Sequence, residues 1–158
     1  MPFHFVNRAR MAAWEIQADR HVSELPGSDE GLSAEDLARE GGTSFSQFST
    51  WAIVCEEVLD TQFSRAYFER AREEFHRRGI ADDELTEMRR FAWLTAGWLN
   101  FDQGLWDWCH LDEKDIRRAI EMQHAGGFIS DEERDRRMAY LERYADADAD
   151  ANTDGDEV

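Results

Sequence analysis

The chain has 158 residues, 42% of them apolar and 12% aromatic, with only two prolines and two cysteines. That is the length of a single domain with material for a core, and it excludes collagen-like, proline-rich, disulfide-built and wholly disordered classes. Thirty-five acids stand against 18 bases, for a net charge of −17, and Lys114 is the only lysine.

Such a surplus repels itself and opposes compaction in dilute buffer. At molar salt the Debye length is only ~3 Å and the repulsion is screened. The composition therefore points to a halophilic source with a salt-rich cytoplasm, which makes the acidity an adaptation rather than a clue to a partner. The opening residues lack the apolar stretch of a signal peptide. The longest apolar run, Phe91 to Leu99, is far short of the ~20 residues of a membrane span, so no membrane contact is expected. Cys55 and Cys109 form no CxxC or ligand-spaced pair and read as small buried hydrophobes.

Helical spacing dominates and no period-two alternation stands out. The expected fold is all-α: one compact bundle of six or seven helices over residues 1–145, with a disordered acidic tail over 146–158. The first helix is expected over residues 7–24, with Phe5, Ala9, Ala12 and Ile16 on one face and Trp14 nearby. Pro26-Gly27 ends it. Ser33 caps a short helix to Glu40, which Gly41-Gly42 terminate.

Ser44-Phe-Ser-Gln47 has the pattern of a capping box. The helix it opens carries Phe48, Trp51, Ala52, Cys55, Val58 and Leu59 in one stripe, then bends near Thr61 or runs on to Arg78. Glu73 precedes Arg77 and Glu74 precedes Arg78 by four residues, the favourable order for surface pairs. A further helix starts near Asp82 and is apolar on every face between Phe91 and Leu99, which marks it as the central element. Asp112 caps a helix to Ala125 with Ile116, Ala119 and Ile120 inward. Ser130-Asp-Glu-Glu133 is a second capping box, opening a last helix to Tyr144. No internal repeat is present.

Leu37 to Trp51 resembles the helix-turn-helix of bacterial and archaeal transcription regulators, within residues 33–60. That resemblance implies Ser46, Gln47, Ser49 and Thr50 as base-facing residues, with Gln47 suited to adenine edges. Charge opposes it: residues 26–62 hold eight acids and one base, Arg39, whereas phosphate contacts supply most of the affinity for DNA.

Two Glu-x-x-His pairs, Glu73 with His76 and Glu121 with His124, have the spacing used by ferritin-like di-metal bundles. Glu56 or Glu57 and Glu84 or Glu87 are available as further carboxylates. An acid-rich chain makes such pairs readily, and a solvated face is the simpler reading of both. Asp150 to Gly155 matches the first half of an EF-hand loop, but the chain stops before the bidentate Glu that such a loop requires.

Trp106 and Trp108 point about 200° apart on a regular helix and cannot both bury against one surface. They are the expected partner-binding residues, since Trp is a usual anchor of protein interfaces. Gly127-Phe-Ile-Ser-Asp-Glu-Glu133, within a hairpin over residues 112–144, resembles the small C-terminal helical module called SHOCT, with Arg134 and Gln123 where that family has apolar or aromatic residues. The resemblance implies oligomerisation.

No nucleophile–base pairing, phosphate loop or dinucleotide fingerprint appears, and His4, His21 and His110 stand alone. The expectation is a non-enzymatic interaction or assembly module without a cofactor, binding a protein partner or itself. A DNA-binding regulator and a di-metal bundle are the alternatives.

Overall fold

A computed structural model of the protein describes residues 2–31, 45–59, 62–105 and 110–151. These form six α-helices: α1 (Pro2–Ser23), α2 (Thr50–Cys55), α3 (Arg65–Arg77), α4 (Asp82–Ala92), α5 (Glu113–Ala125) and α6 (Asp131–Ala151). Among the described residues there is no strand, and one isolated bridge joins Ser28 to Ser64. The fold is all-α. The short helix expected over 33–40 lies outside the described residues.

The centre of the bundle is the run that is apolar on every face. α4 does not stop at Ala92 but widens into a π-helical segment, Trp93–Asp102. Its ladder reaches five residues back, as in the Gln103 N–H donating to the Trp98 carbonyl at 3.0 Å. Every residue from 91 to 100 is buried, and α1, α5 and the 3-10 turn Glu56–Val58 pack around the segment.

A ten-residue π-helix is an unusual conformation, and side chains from two neighbouring helices and from the segment itself hold this one. Trp14 of α1 donates its indole N–H to the Trp93 carbonyl at 2.8 Å. Gln123 of α5 donates to the Leu94 carbonyl at 2.7 Å, and the Thr95 hydroxyl donates to the Phe91 carbonyl at 2.8 Å. A carbonyl has two lone pairs, so these bonds add to the ladder rather than replace it. Gly97 sits where a Cβ would come within 2.9 Å of the Trp93 ring, so the segment packs closely against itself.

Gln123 also serves α6. Its amide oxygen accepts from Arg137 at 2.8 Å, and the same guanidinium, only 4% exposed, reaches Glu133 at 2.8 Å. A buried cation is tolerated when its donors are satisfied in this way. Both ends of α5 and the start of α6 also follow the sequence. Asp112 and Asp115 exchange side-chain bonds with each other's neighbourhood as a complete capping box. Gly127 takes φ 72° after α5, with the His4 ring where a Cβ would stand. Ser130 caps the Glu133 N–H at 3.1 Å, while the Glu133 carboxylate turns to Arg137 and Arg136. The last helix runs on to Ala151, and residues 152–158 lie outside the described residues.

Two expectations need correction. The helix expected to open at the Ser44 box instead starts at Thr50, capped by Ser49, whose Oγ accepts from the Ala52 N–H at 3.2 Å. Phe45–Gln47 is a separate 3-10 turn. Arg78 holds that turn by donating to the carbonyls of Phe45 and Phe48 at 3.0 and 2.7 Å.

The second correction concerns α1, which is turned about its axis relative to its most obvious apolar spacing. Met11, Trp14 and Ala18 face the core. Phe5, Ala9, Ala12 and Ile16 face solvent, with Phe5 79% and Ile16 59% exposed.

Gln123→Leu keeps the volume but removes the donor to Leu94 and the acceptor of Arg137. It is expected to cost about 2–4 kcal/mol, because the guanidinium stays buried with one partner fewer. Urea unfolding of the variant checks this, and unchanged stability would contradict the role given to Gln123.

Candidate functional site

The residues singled out for DNA do not form a reading surface. Thr50 is buried, 3% exposed, and its hydroxyl accepts from Arg78 at 3.1 Å. The Ser49 hydroxyl donates to the Glu113 carboxylate at 2.9 Å. Ser46 and Gln47 are exposed but stand on the 3-10 turn. All six residues of α2 are buried, so this helix has no free side to lay into a groove.

The Glu-x-x-His pairs lie on α3 and α5. His76 Nε2 meets Asp82 Oδ1 at 2.7 Å, and His124 Nε2 meets Asp131 Oδ1 at 2.5 Å. Each histidine thus tethers its helix to the start of the next. Glu73 and Glu121 are exposed. Among the described residues no group of three or more His, Cys, Asp or Glu side chains is placed to hold a metal ion. Arg72 is bidentate to Asp82, with Nε at 2.8 Å from Oδ1, and with His76 beside it holds that carboxyl well below its ordinary range. Of the surface pairs expected on α3, Glu74 with Arg78 forms at 2.9 Å, while Arg77 turns to Glu74 instead of Glu73. Trp106 and Trp108 lie outside the described residues.

Two buried groups carry chemistry of their own. The Cys55 thiol is wholly buried, and burial together with Asp115 and Glu56 raises its pKa, so it stays protonated and unreactive. Glu56, 8% exposed on the turn after α2, is pushed up to about 7 by burial, against the hydrogen bond from Tyr67 and the nearby His110. Its neighbour Glu57 has the opposite surroundings. Arg89 is bidentate to it at 2.7 Å through both Nε and Nη2, and the Trp93 indole donates to it at 3.1 Å. Arg89 also donates to the Val22 and Glu24 carbonyls at the end of α1. His21 stacks on Trp93 with ring centres 3.9 Å apart. This clasp joins α1, α4 and the 3-10 turn after α2, and it uses carbonyls that a helix C-terminus leaves free.

Beside the clasp a groove of about 480 Å³ opens between α2, α3 and α4. Its floor is apolar, with Ile53, Val54, Phe68, Phe75 and Leu85, and its charged rim is largely neutralised by the Arg72–Asp82 and Arg89–Glu57 pairs. Among the described residues no nucleophile with an adjacent base lines it.

The other feature is the solvent-exposed surface of α1. Phe3, Phe5, Val6 and Ile16 account for most of the large apolar side chains that the described residues leave exposed. Between residues 2 and 20 the helix has three arginines and two acids, in a chain of net charge −17. No described helix is long and apolar enough to cross a membrane. No protein-family model matches this chain, and the searches of curated proteins and of solved structures found nothing similar.

The raised Glu56 pKa has a definite sign. Between about pH 4.5 and 7 the folded chain holds a proton that the unfolded chain has lost, so stability falls as pH rises through that window. The lowered carboxyls of Asp82, Glu74 and Asp131 act in the opposite sense, below the ordinary carboxylate range. Glu56→Gln is expected to flatten the decline and to stabilise the protein at pH 8 by up to about 3 kcal/mol. Unfolding midpoints measured from pH 5 to 8 check this. An unchanged slope would contradict the buried, protonatable state of Glu56.

Proposed function

We propose that the chain is a non-enzymatic helical interaction or assembly module, oligomeric, working in the salt-rich cytoplasm that its acid excess suggests. The observation that carries this reading is the outer face of α1. Monomeric proteins rarely leave several large apolar side chains together on one helix face, and such patches mark interaction surfaces. Phe5 and Ile16 lie there with Ala9 and Ala12 between them, on a helix with three arginines and two acids between residues 2 and 20, so an approaching partner meets little repulsion. The DNA-binding alternative finds no support in a buried α2 and an acidic segment around it.

Affinity capture from the host in multimolar KCl, with and without nuclease, tests this. The wild-type chain is compared with the Phe5→Glu/Ile16→Glu double variant. A stoichiometric protein, or a second copy of the chain, is expected to survive nuclease with the wild type and to be lost with the variant, at unchanged helicity. Equal capture by both chains would contradict the assignment to α1. Recovery of DNA, with partners lost after nuclease, would shift support to the DNA-binding reading.

A further inference from the structure

The exposed stripe of α1 has a specific form. Phe5, Ala9, Ala12 and Ile16 recur at intervals of four, three and four residues, which is the seam of a two-stranded coiled coil, here about 17 Å long. All four are exposed, and the helix buries a different set, Met11, Trp14 and Ala18, against its own core. α1 therefore has two apolar faces, of which the fold uses one.

We infer that the second face pairs with the same face of a second copy of this chain, the two α1 helices running antiparallel about a two-fold axis between Ala9 and Ala12. The inference rests on the interaction reading above and names its partner. Three features of the sequence on this helix favour that occupant. An antiparallel pair sets Phe5 against Ile16 at each end and Ala9 against Ala12 in the middle. The small residues let the axes approach to about 8 Å while the large ones close the ends. The flanks then match in charge and polarity. Arg8 of one copy lies beside Glu15 of the other, twice by symmetry, adding a second cation to a carboxylate that already faces Arg137 of its own chain at 3.6 Å, while Val6 lies beside Ala13 on the opposite flank. The helix is also close to neutral, unlike the chain as a whole, so two strongly acidic molecules repel little across this face. Anionic membranes and nucleic acid are opposed by the same net charge.

A seam of three turns buries less than the roughly 1,200 Å² of a stable interface. The pair is therefore a concentration-dependent dimer, with dissociation in the range of about 10–100 μM. Screening of the overall repulsion outweighs the weakening of two exposed ion pairs, so the dimer strengthens from 0.2 to 2 M KCl.

Sedimentation equilibrium from 5 to 500 μM in both salts tests the dimer. The wild type is expected to dimerise, and Ile16→Glu to raise the dissociation constant at least tenfold while circular dichroism stays unchanged. Orientation is read by mixing Ala9→Cys with Ala12→Cys chains, each in a Cys109→Ser background, under mild oxidation. The mixed disulfide is expected to form faster than either homodimer. Preferred homodimer disulfides would overturn the antiparallel arrangement, and a wild type monomeric to 500 μM would overturn self-pairing. If that monomer still captures another protein through the Phe5–Ile16 face, or binds anionic lipid vesicles, self-pairing fails. The first of those outcomes leaves the broader interaction reading standing.

Discussion

The fold depends on keeping one widened, fully buried helical segment hydrogen-bonded. From Phe91 to Asn100 the chain offers no polar side, so it has to be surrounded, and its π-helical ladder needs fixed neighbours to persist. Trp14, Gln123 and Thr95 supply donors to its carbonyls, and Asn100 returns one to the Val58 carbonyl at 2.8 Å. These bonds come from α1, α5 and the segment itself, so the orientation of each packed helix is tied to one backbone. The Gln123–Arg137–Glu133 chain carries the same restraint to α6, and the Arg89–Glu57 clasp carries it to the turn after α2. At net bond values of about 1 kcal/mol each, these contacts choose an arrangement more than they supply the stability. Apolar burial supplies that.

This constraint explains why α1 presents the face it does. The helix has two candidate inner faces, and apolar content alone does not separate them. An indole N–H that enters a core requires an acceptor, and Trp14 finds one in the Trp93 carbonyl. Satisfying that donor turns Met11 and Ala18 inward and leaves Phe5, Ala9, Ala12 and Ile16 outside. His21 then stacks on Trp93 and the end of α1 meets Arg89. The exposed stripe is thus a consequence of how the centre is hydrogen-bonded, and it is the surface on which the functional proposal stands.

Much of this was legible in the residues, and the parts that were not share a cause. The central run declared itself by being apolar all round, and Asp112, Ser130 and the Gly126-Gly127 pair marked the last two helices through local capping chemistry. The π-helical ladder left no signal, because a segment apolar on every face gives periodicity nothing to measure. The start of α2 was misplaced because Ser44 and Ser49 both suit a cap, and the choice is made by Glu113 and Arg78, far away in sequence. Gln123 looked out of place in an apolar position until its partners on two other helices were known. The orientation of α1 was not legible for the same reason: one bond across 79 residues decides it. Of the candidate site residues, the spacing of Phe5, Ala9, Ala12 and Ile16 was visible as a face, but not which way that face turns.

The claim most open to direct test is therefore the orientation of α1 in the isolated molecule. Hydroxyl-radical footprinting at low micromolar concentration, below the dissociation constant proposed for self-pairing, reads it residue by residue. Phe5 and Ile16 are expected to be oxidised readily while Met11, intrinsically the more reactive side chain, and Trp14 are protected. Rapid oxidation of Met11 with protection of Phe5 and Ile16 would show that the heptad-spaced stripe is the core face, and it would remove the basis for an interaction surface on this helix.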